Sequence, residues 1–156
     1  MKYLKLTLLL FVFSSVISCG GDDDICENGE GTPRMKMMFK TGGKVTKLDS
    51  IKVFANLGNS IVDFGWRTKV DSVFVPLRVD DSPYTDIYIK TSAKKDSSKI
   101  RVNYTAKSIY VSPGCGVKRN YENLNSVLLL SNSVKSLEQG QNFIQNEEKT
   151  NLYLNF

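Results

Sequence analysis

The chain has 156 residues, carries a formal net charge of +5 and contains no histidine. Without histidine it lacks the commonest general base and metal ligand, which excludes Ser-His-Asp and Cys-His catalysis and histidine-bound zinc motifs. Phosphate-binding and nucleophile-elbow motifs are also missing from the sequence. We therefore expect no enzyme, no cofactor and no metal site, although a glycosidase built on two carboxylates stays open.

The first predicted element is an export signal at residues 1–18. Lysines precede an apolar run from Leu6 to Ile17, which is too short to span a bilayer as a permanent helix. The run ends in Val-Ile-Ser followed by Cys19, an arrangement that resembles a bacterial lipobox, in which the cysteine is lipidated and becomes the N-terminus. We expect Cys19 to anchor the chain in a membrane. The alternative is a plain secretory signal with an incidental cysteine.

Charge divides the rest of the chain into a predicted acidic, flexible tether at residues 19–32 and a folded domain at 33–156. The tether has five acidic residues and no Lys or Arg, whereas residues 34–156 carry 19 Lys and Arg against 11 Asp and Glu, a net charge of +8. The acids behind Cys19 also resemble the surface-export signal of Bacteroidota lipoproteins. Both a surface and a periplasmic orientation stay open. The basic domain would attract polyanions, or its lysines would simply protect sheet edges and solubility.

Two cysteines remain once Cys19 is lipidated, and an exported domain meets an oxidising compartment. We therefore expect a disulfide between Cys26 and Cys115. In the chain-entropy account, closing a ring of about 90 residues stabilises the fold by roughly 4 kcal/mol. Two unpaired buried thiols are the alternative, and a redox-active pair is disfavoured because the sequence has no C-x-x-C motif.

Apolar and polar residues alternate with a period of two along the domain, which predicts half-buried strands. Turn signals rich in Gly, Pro and Asn separate these runs, and Pro76 indicates an edge strand. We predict an all-β fold, an antiparallel β-sandwich of roughly seven to eight short strands with immunoglobulin-like general architecture. Residues 131–148 stay undecided among strand, helix and loop. The predicted inward-facing sets are Met35, Met37 and Phe39; Ile51, Val53 and Ala55; Val73, Val75 and Leu77; Thr85, Ile87 and Ile89; Ile100, Val102 and Tyr104; and Leu152, Leu154 and Phe156.

Two features are candidates for binding. Trp66 lies beside Gly65 and would suit a stacking platform or an interface anchor, although a core position is the more usual role and is the interpretation favoured here. The basic stretch from Lys94 and Lys95 to Arg101 would contact an acidic partner. The expected partners are the membrane, through the N-terminal lipid, and an envelope protein or glycan; no nucleic acid is expected.

A resemblance to a known family is carried by several short segments. They are Thr32-Pro33-Arg34, the run from Asp71 to Leu77, the loop Ser112-Pro113-Gly114-Cys115-Gly116 and Tyr121-Glu122-Asn123-Leu124. Together with Cys26 they resemble small outer-membrane lipoproteins of the Bacteroidota, a family with no assigned activity. The resemblance implies a β domain, a disulfide and a lipid anchor. It also makes Asp49-Ser50-Ile51 and Asp71-Ser72-Val73 similar to the O-glycosylation acceptors of that phylum, with Ser50 and Ser72 as the modified residues.

The predicted export signal and lipid anchor, together with the lack of catalytic motifs, favour an outer-membrane lipoprotein that serves as a binding or accessory module. One alternative is a structural envelope lipoprotein without a separate ligand. Another is a small outer-membrane β-barrel, because the terminal pattern of Leu152, Leu154 and Phe156 resembles a closing strand.

Overall fold

The computed structural model describes residues 31–156, and its regular secondary structure consists of ten β-strands. No helix in this range is long and apolar enough to cross a membrane. The predicted export signal, Cys19, Cys26 and nearly all of the predicted tether lie outside the described residues. In chain order the strands are β1 (Met35–Thr41), β2 (Lys44–Val45), β3 (Ile51–Asn56), β4 (Ile61–Arg67), β5 (Ser72–Val75), β6 (Tyr84–Lys90), β7 (Ser98–Ser112), β8 (Gly116–Leu130), β9 (Ser136–Gln139) and β10 (Leu152–Asn155).

The strands form two five-stranded sheets that pack together around one core. Sheet I has the order β2-β1-β10-β9, with β5 also paired to β1, and sheet II has the order β4-β3-β6-β7-β8. Strands β1 and β10 pair in parallel, and the other pairs are antiparallel. The predicted all-β sandwich is confirmed. It has ten strands instead of seven or eight, and β7 and β8 are 15 residues long rather than short.

The core consists of the inward-facing halves of the alternating strands. Met35, Met37 and Phe39 of β1 are fully buried, as are Ile87 and Ile89 of β6. Val73 and Phe156 are only partly buried against this cluster, whereas the other residues of the predicted inward-facing sets are buried. Burying such a side chain stabilises the fold by about 1.5–3 kcal/mol, which makes the core the main source of stability.

The segment after β8 crosses from sheet II to sheet I without a helix. Val127 to Leu130 forms the end of β8, and strand β9 follows. The buried hydroxyl oxygen of Ser98 accepts hydrogen bonds from the backbone N–H groups of Asn132 (3.0 Å) and Val134 (2.9 Å), which holds the crossing against β7. Residues 131–148, which the sequence left undecided, are loop apart from β9 and an isolated bridge between Ile144 and Tyr121.

Strands β7 and β8 continue beyond sheet II as a two-stranded hairpin, which we call the hairpin arm (residues 105–122). β6 pairs with β7 only as far as Asn103, whereas β7 and β8 stay paired to the tip. At the base of the arm the rings of Tyr104 and Tyr121 meet edge to face, 5.0 Å between centroids. The Tyr121 hydroxyl donates to the backbone carbonyl of Arg78 (3.1 Å), and burial raises the pKa of Tyr121. This contact fixes the arm to the domain.

Replacement of Gly140 by Ala should destabilise the domain. The N–H of Gly140 donates to the carbonyl of Asn151 (2.9 Å), and an added Cβ would overlap the carbonyl oxygen of Thr150. We expect a loss of about 1–3 kcal/mol, seen as a lower midpoint in thermal unfolding. The matched variant Gly31→Ala, where no atom lies within 4 Å, should unfold like the unmodified chain. Equal midpoints for the two variants would contradict this account of the turn.

Candidate binding surface

The outer face of sheet II carries aromatic and charged side chains, and we call it the aromatic face. Its members alternate with the core residues of β3, β6 and β7, so the strand period places them on the solvent side. Pairing then arranges them in rows across the strands. The rows are Trp66, Lys52 and Lys90; Asp63, Phe54, Tyr88 and Lys99; and Asn56, Asp86 and Arg101, with Tyr84 beyond them on β6.

Cations of the aromatic face pack over its rings. The Lys52 ammonium lies 5.0 Å from the ring centroid of Phe54 and 5.9 Å from that of Trp66. Such contacts contribute about 0.5–1 kcal/mol each at exposed sites, and they hold the rings in defined positions. Two further pairs are Lys99 with Tyr88 (5.4 Å) and Arg101 with Tyr84 (3.9 Å).

Asp86 is the electrostatic centre of this face. Its side chain is only 8% exposed, and its carboxylate accepts two hydrogen bonds from Arg101 (2.8 and 2.9 Å) and lies 3.0 Å from the Lys99 ammonium. The hydrogen bond from Arg101 lowers the pKa of Asp86, against the opposing effect of desolvation, and Lys99 lowers it further. At the next pair of strands, Lys52 bonds Asp63 at 2.8 Å and lowers the pKa of that carboxyl.

The aromatic face carries more positive than negative charge. Its two carboxylates are paired with Lys52, Lys99 and Arg101. Lys90, which lies in the row of Trp66, has no ion pair within residues 31–156, and neither do the exposed Lys94 and Lys95 in the connection that follows β6. An anion at this end of the sheet would therefore meet three cations without an ion pair in the described residues, with Asp96 as the one acidic residue of the same connection.

A β-bulge brings Trp66 to this surface. Trp66 pairs with Lys52 and Asp63 pairs with Phe54, so three steps along β4 match two along β3. Gly65 takes up the extra residue with a φ of +72°, a conformation that glycine adopts without strain. The indole is 43% exposed, so the interpretation of Trp66 as a core residue is wrong.

The structure brings only part of the predicted basic stretch onto the aromatic face. Arg101 lies on this face with its charge bound to Asp86, whereas Lys94 and Lys95 lie in the loop at its end. Lys99, within the predicted basic stretch, also lies on this face, whereas sequence reasoning missed Phe54, Tyr84, Tyr88 and Lys52 as members of the site. The available signal was the outward-facing half of the alternation, in which aromatic and cationic residues recur.

The predicted glycosylation sites are both half-buried hydroxyls with hydrogen-bond partners. Ser50 donates to the carbonyl of Thr91 (2.8 Å), and Ser72 donates to the carboxylate of Asp71 (2.9 Å). Modification at these residues stays a prediction.

The tip of the hairpin arm contains Cys115, which is disulfide-bonded. Its N–H donates to the hydroxyl of Ser112 (3.1 Å), and Gly116 follows with a φ of +68°. Cys26 lies outside the described residues, so the predicted pairing with Cys26 stays a prediction. In the described part of the chain, no group of three or more Asp, Glu or Cys residues could hold a metal ion.

Replacement of Asp86 by Asn should destabilise the domain in a pH-dependent way. The native pKa of Asp86 is lowered, so its stabilising effect is complete above its ordinary value near 3.8 and is lost as the pH falls through the lower native value. At pH 7 we expect Asp86→Asn to cost about 1–2 kcal/mol. Thermal unfolding from pH 7 to pH 2 should show the difference from the unmodified chain shrinking in acid. The control Asp81→Asn, at a side chain that is 96% exposed, should have little effect; a pH-independent loss for Asp86→Asn would contradict the assignment.

Comparison with known proteins connects this fold to a family and to no described activity. A model of a family of unknown function, DUF6452, matches residues 50–156, which include sheet II, the hairpin arm and the C-terminal strand β10. No curated protein and no solved structure matches the chain. Because the matched residues cover more than half of the chain, it belongs to this family of unknown function.

Proposed function

We propose that the chain is a lipid-anchored binding module of the bacterial cell envelope, and that its aromatic face captures an acidic glycan. In this proposal Cys19 carries the lipid, residues 20–30 separate the anchor from the domain, and the domain works without catalysis. The lack of histidine in the sequence and its lipobox-like segment support a binding role in the envelope. The resemblance to Bacteroidota outer-membrane lipoproteins agrees with this location.

The observation that carries the proposal is the exposure of Trp66 on the outer face of sheet II. Large apolar side chains of a soluble domain are usually buried, yet this indole is 43% exposed, at a bulge that orients it outward. An indole offers a broad apolar face with a polar edge, which suits stacking against a sugar ring. Lys52 packs beside the ring and fixes its orientation, so little side-chain freedom is lost on binding.

Charge selects the class of glycan. Lys90 lies in the same row as Trp66, and Lys94 and Lys95 follow it in the loop. A sugar carboxylate or sulfate bound there would replace water around cations that lack an ion pair in the described residues. A neutral glycan would be bound only through stacking on Trp66, without any contribution from these cations. The proposed ligand is therefore a polysaccharide that carries acidic groups.

The glycan proposal is tested with the whole chain in mild detergent and polygalacturonate as the acidic probe. Trp66→Ala should raise the Kd tenfold or more, because loss of an aromatic anchor costs about 1.4 kcal/mol or more. Affinity electrophoresis measures this effect, and binding should weaken as salt is added.

The matched control is Tyr110→Ala, which removes an exposed aromatic residue from the hairpin arm, 66% exposed and outside the aromatic face. It should leave the Kd unchanged, and both variants should keep the thermal midpoint of the unmodified chain. Equal affinity for Trp66→Ala and the unmodified chain, or equal binding to neutral dextran, would refute the proposed site.

The anchor is tested separately, by fractionation of cells that express Cys19→Ser. Without the thiol no lipid can be attached, so the variant should be found as unprocessed or soluble protein. Ser14→Ala, in the same apolar segment, should remain in the membrane fraction and be processed normally. Membrane-bound, normally processed Cys19→Ser protein would show that Cys19 is not the anchor.

A further inference from the structure

Four of the five outer strands of the two sheets carry features that prevent pairing with another chain. β2 has two residues, and β9 has four, including the charged Glu138. β5 has four residues and stops at Pro76. β4 is bulged at Gly65 and carries charges at both Asp63 and Arg67.

The second half of the fifth outer strand, β8, has neither a charge nor a proline. Bulges at Asn123–Leu124 and at Leu129 bound the part of it that pairs regularly with β7, from Asn125 to Leu128. Residues 123–134 form a continuous segment of twelve residues without a charge. Val127, Leu129 and Leu130 are 44%, 49% and 50% exposed there. A long, apolar, uncharged edge is the kind of strand that pairs with a further strand.

The backbone of this edge is also available. Beyond its pairing with β7, β8 uses the N–H groups of Tyr121 and Leu124 to bond Ile144 and Asn142. Backbone N–H and C=O groups alternate between the two sides of a strand. The next groups of β8 that point away from β7 therefore belong to Ser126 and Leu128. No other segment of residues 31–156 forms a backbone hydrogen bond with them on that side. From Asn125 to Leu128 the pairing with β7 is regular, so the edge is straight enough to accept a partner.

We propose that this edge pairs with the same edge of a second copy, antiparallel about a twofold axis at Val127. Charge favours this edge as the contact between copies: residues 34–156 carry a net +8, so two copies repel each other least where they meet through an uncharged segment. An antiparallel strand is complementary to itself, as a twofold interface requires. The axis sets Val127 against Val127 of the other copy and Ser126 against Leu128.

Pairing of this kind joins the two copies of sheet II into one ten-stranded sheet. The twofold axis is perpendicular to the sheet, so the two aromatic faces point in the same direction. Val127 pairs with Arg101 across β8 and β7, and this places the axis next to the aromatic face. A dimer would present two such faces to one polymer and gain avidity, a consequence that rests on the proposed function. The pairing itself does not depend on that function.

The first test is the mass of the whole chain by sedimentation equilibrium in density-matched detergent. The unmodified chain should be dimeric at micromolar concentration. Val127→Lys should raise the dissociation constant at least tenfold, because it sets two ammonium groups against each other at the axis. The control Ile61→Lys, at an exposed apolar position on the other edge of sheet II, should leave the dimer intact. A monomeric unmodified chain, or a Val127→Lys variant as dimeric as the control, would overturn the proposal.

A second test does not depend on loss of the dimer. Directly opposed residues of an antiparallel pair lie close enough for a disulfide. Val127→Cys should therefore form a covalent dimer under mild oxidation, whereas Ile61→Cys should not. Equal cross-linking of the two variants would show that contact is random collision and would refute the twofold pairing. Glycan binding by a chain shown to be monomeric would leave the proposed function standing and refute this inference alone.

Discussion

The register of sheet II is the constraint on which the rest of the structure depends. A strand shifted by one residue would turn its core residues to solvent and move its charged residues into the core. In β6 and β7 both sides of the sheet specify the same register. Ile87 faces Ile100 in the core, and one step away Asp86 faces Arg101 on the outside, joined by two hydrogen bonds. The alternative register would bury a carboxylate and a guanidinium among apolar side chains, which is far too costly to be populated.

The same two-sided logic explains which strands could be predicted from the sequence. Alternation of apolar and polar residues identified the strands that have one buried and one solvent-exposed face. These are β1, β3, β6, β10 and the first half of β7. β4 lies at an edge and is half-exposed on both sides, and its bulge at Gly65 breaks the period of two. The hairpin arm has no core of its own beyond its base, so the β7 residues from Lys107 to Ser112 show no buried face. β9 is a four-residue strand whose position depends on the crossing held by Ser98.

The candidate site was only partly predictable, for a different reason. Trp66 and Arg101 stand out by residue type alone, and both lie on the aromatic face. Their common face depends on pairing between strands that are distant in sequence, and Trp66 points outward only because a bulge shifts it by one residue. Aromatic residues at outward positions of alternating strands, such as Phe54 and Tyr88, were the local sign of the aromatic face.

The distribution of lysine bears on the two explanations for the basic domain, which are attraction of a polyanion and protection of sheet edges. If the excess of lysine served only to protect sheet edges, the long apolar edge of β8 would be the first place to need it. That edge has no charge between Asn123 and Val134. Cations are placed instead beside aromatic rings on the outer face of sheet II, where Lys52, Lys99 and Arg101 all lie within 6 Å of a ring centroid. These three cations also form ion pairs with Asp63 and Asp86, so ion pairs and ring contacts within the face account for their placement. In the described part of the chain, the cations at this face that lack an ion pair are Lys90 and, in the loop at its end, Lys94 and Lys95, and it is these that the proposed acidic ligand would contact.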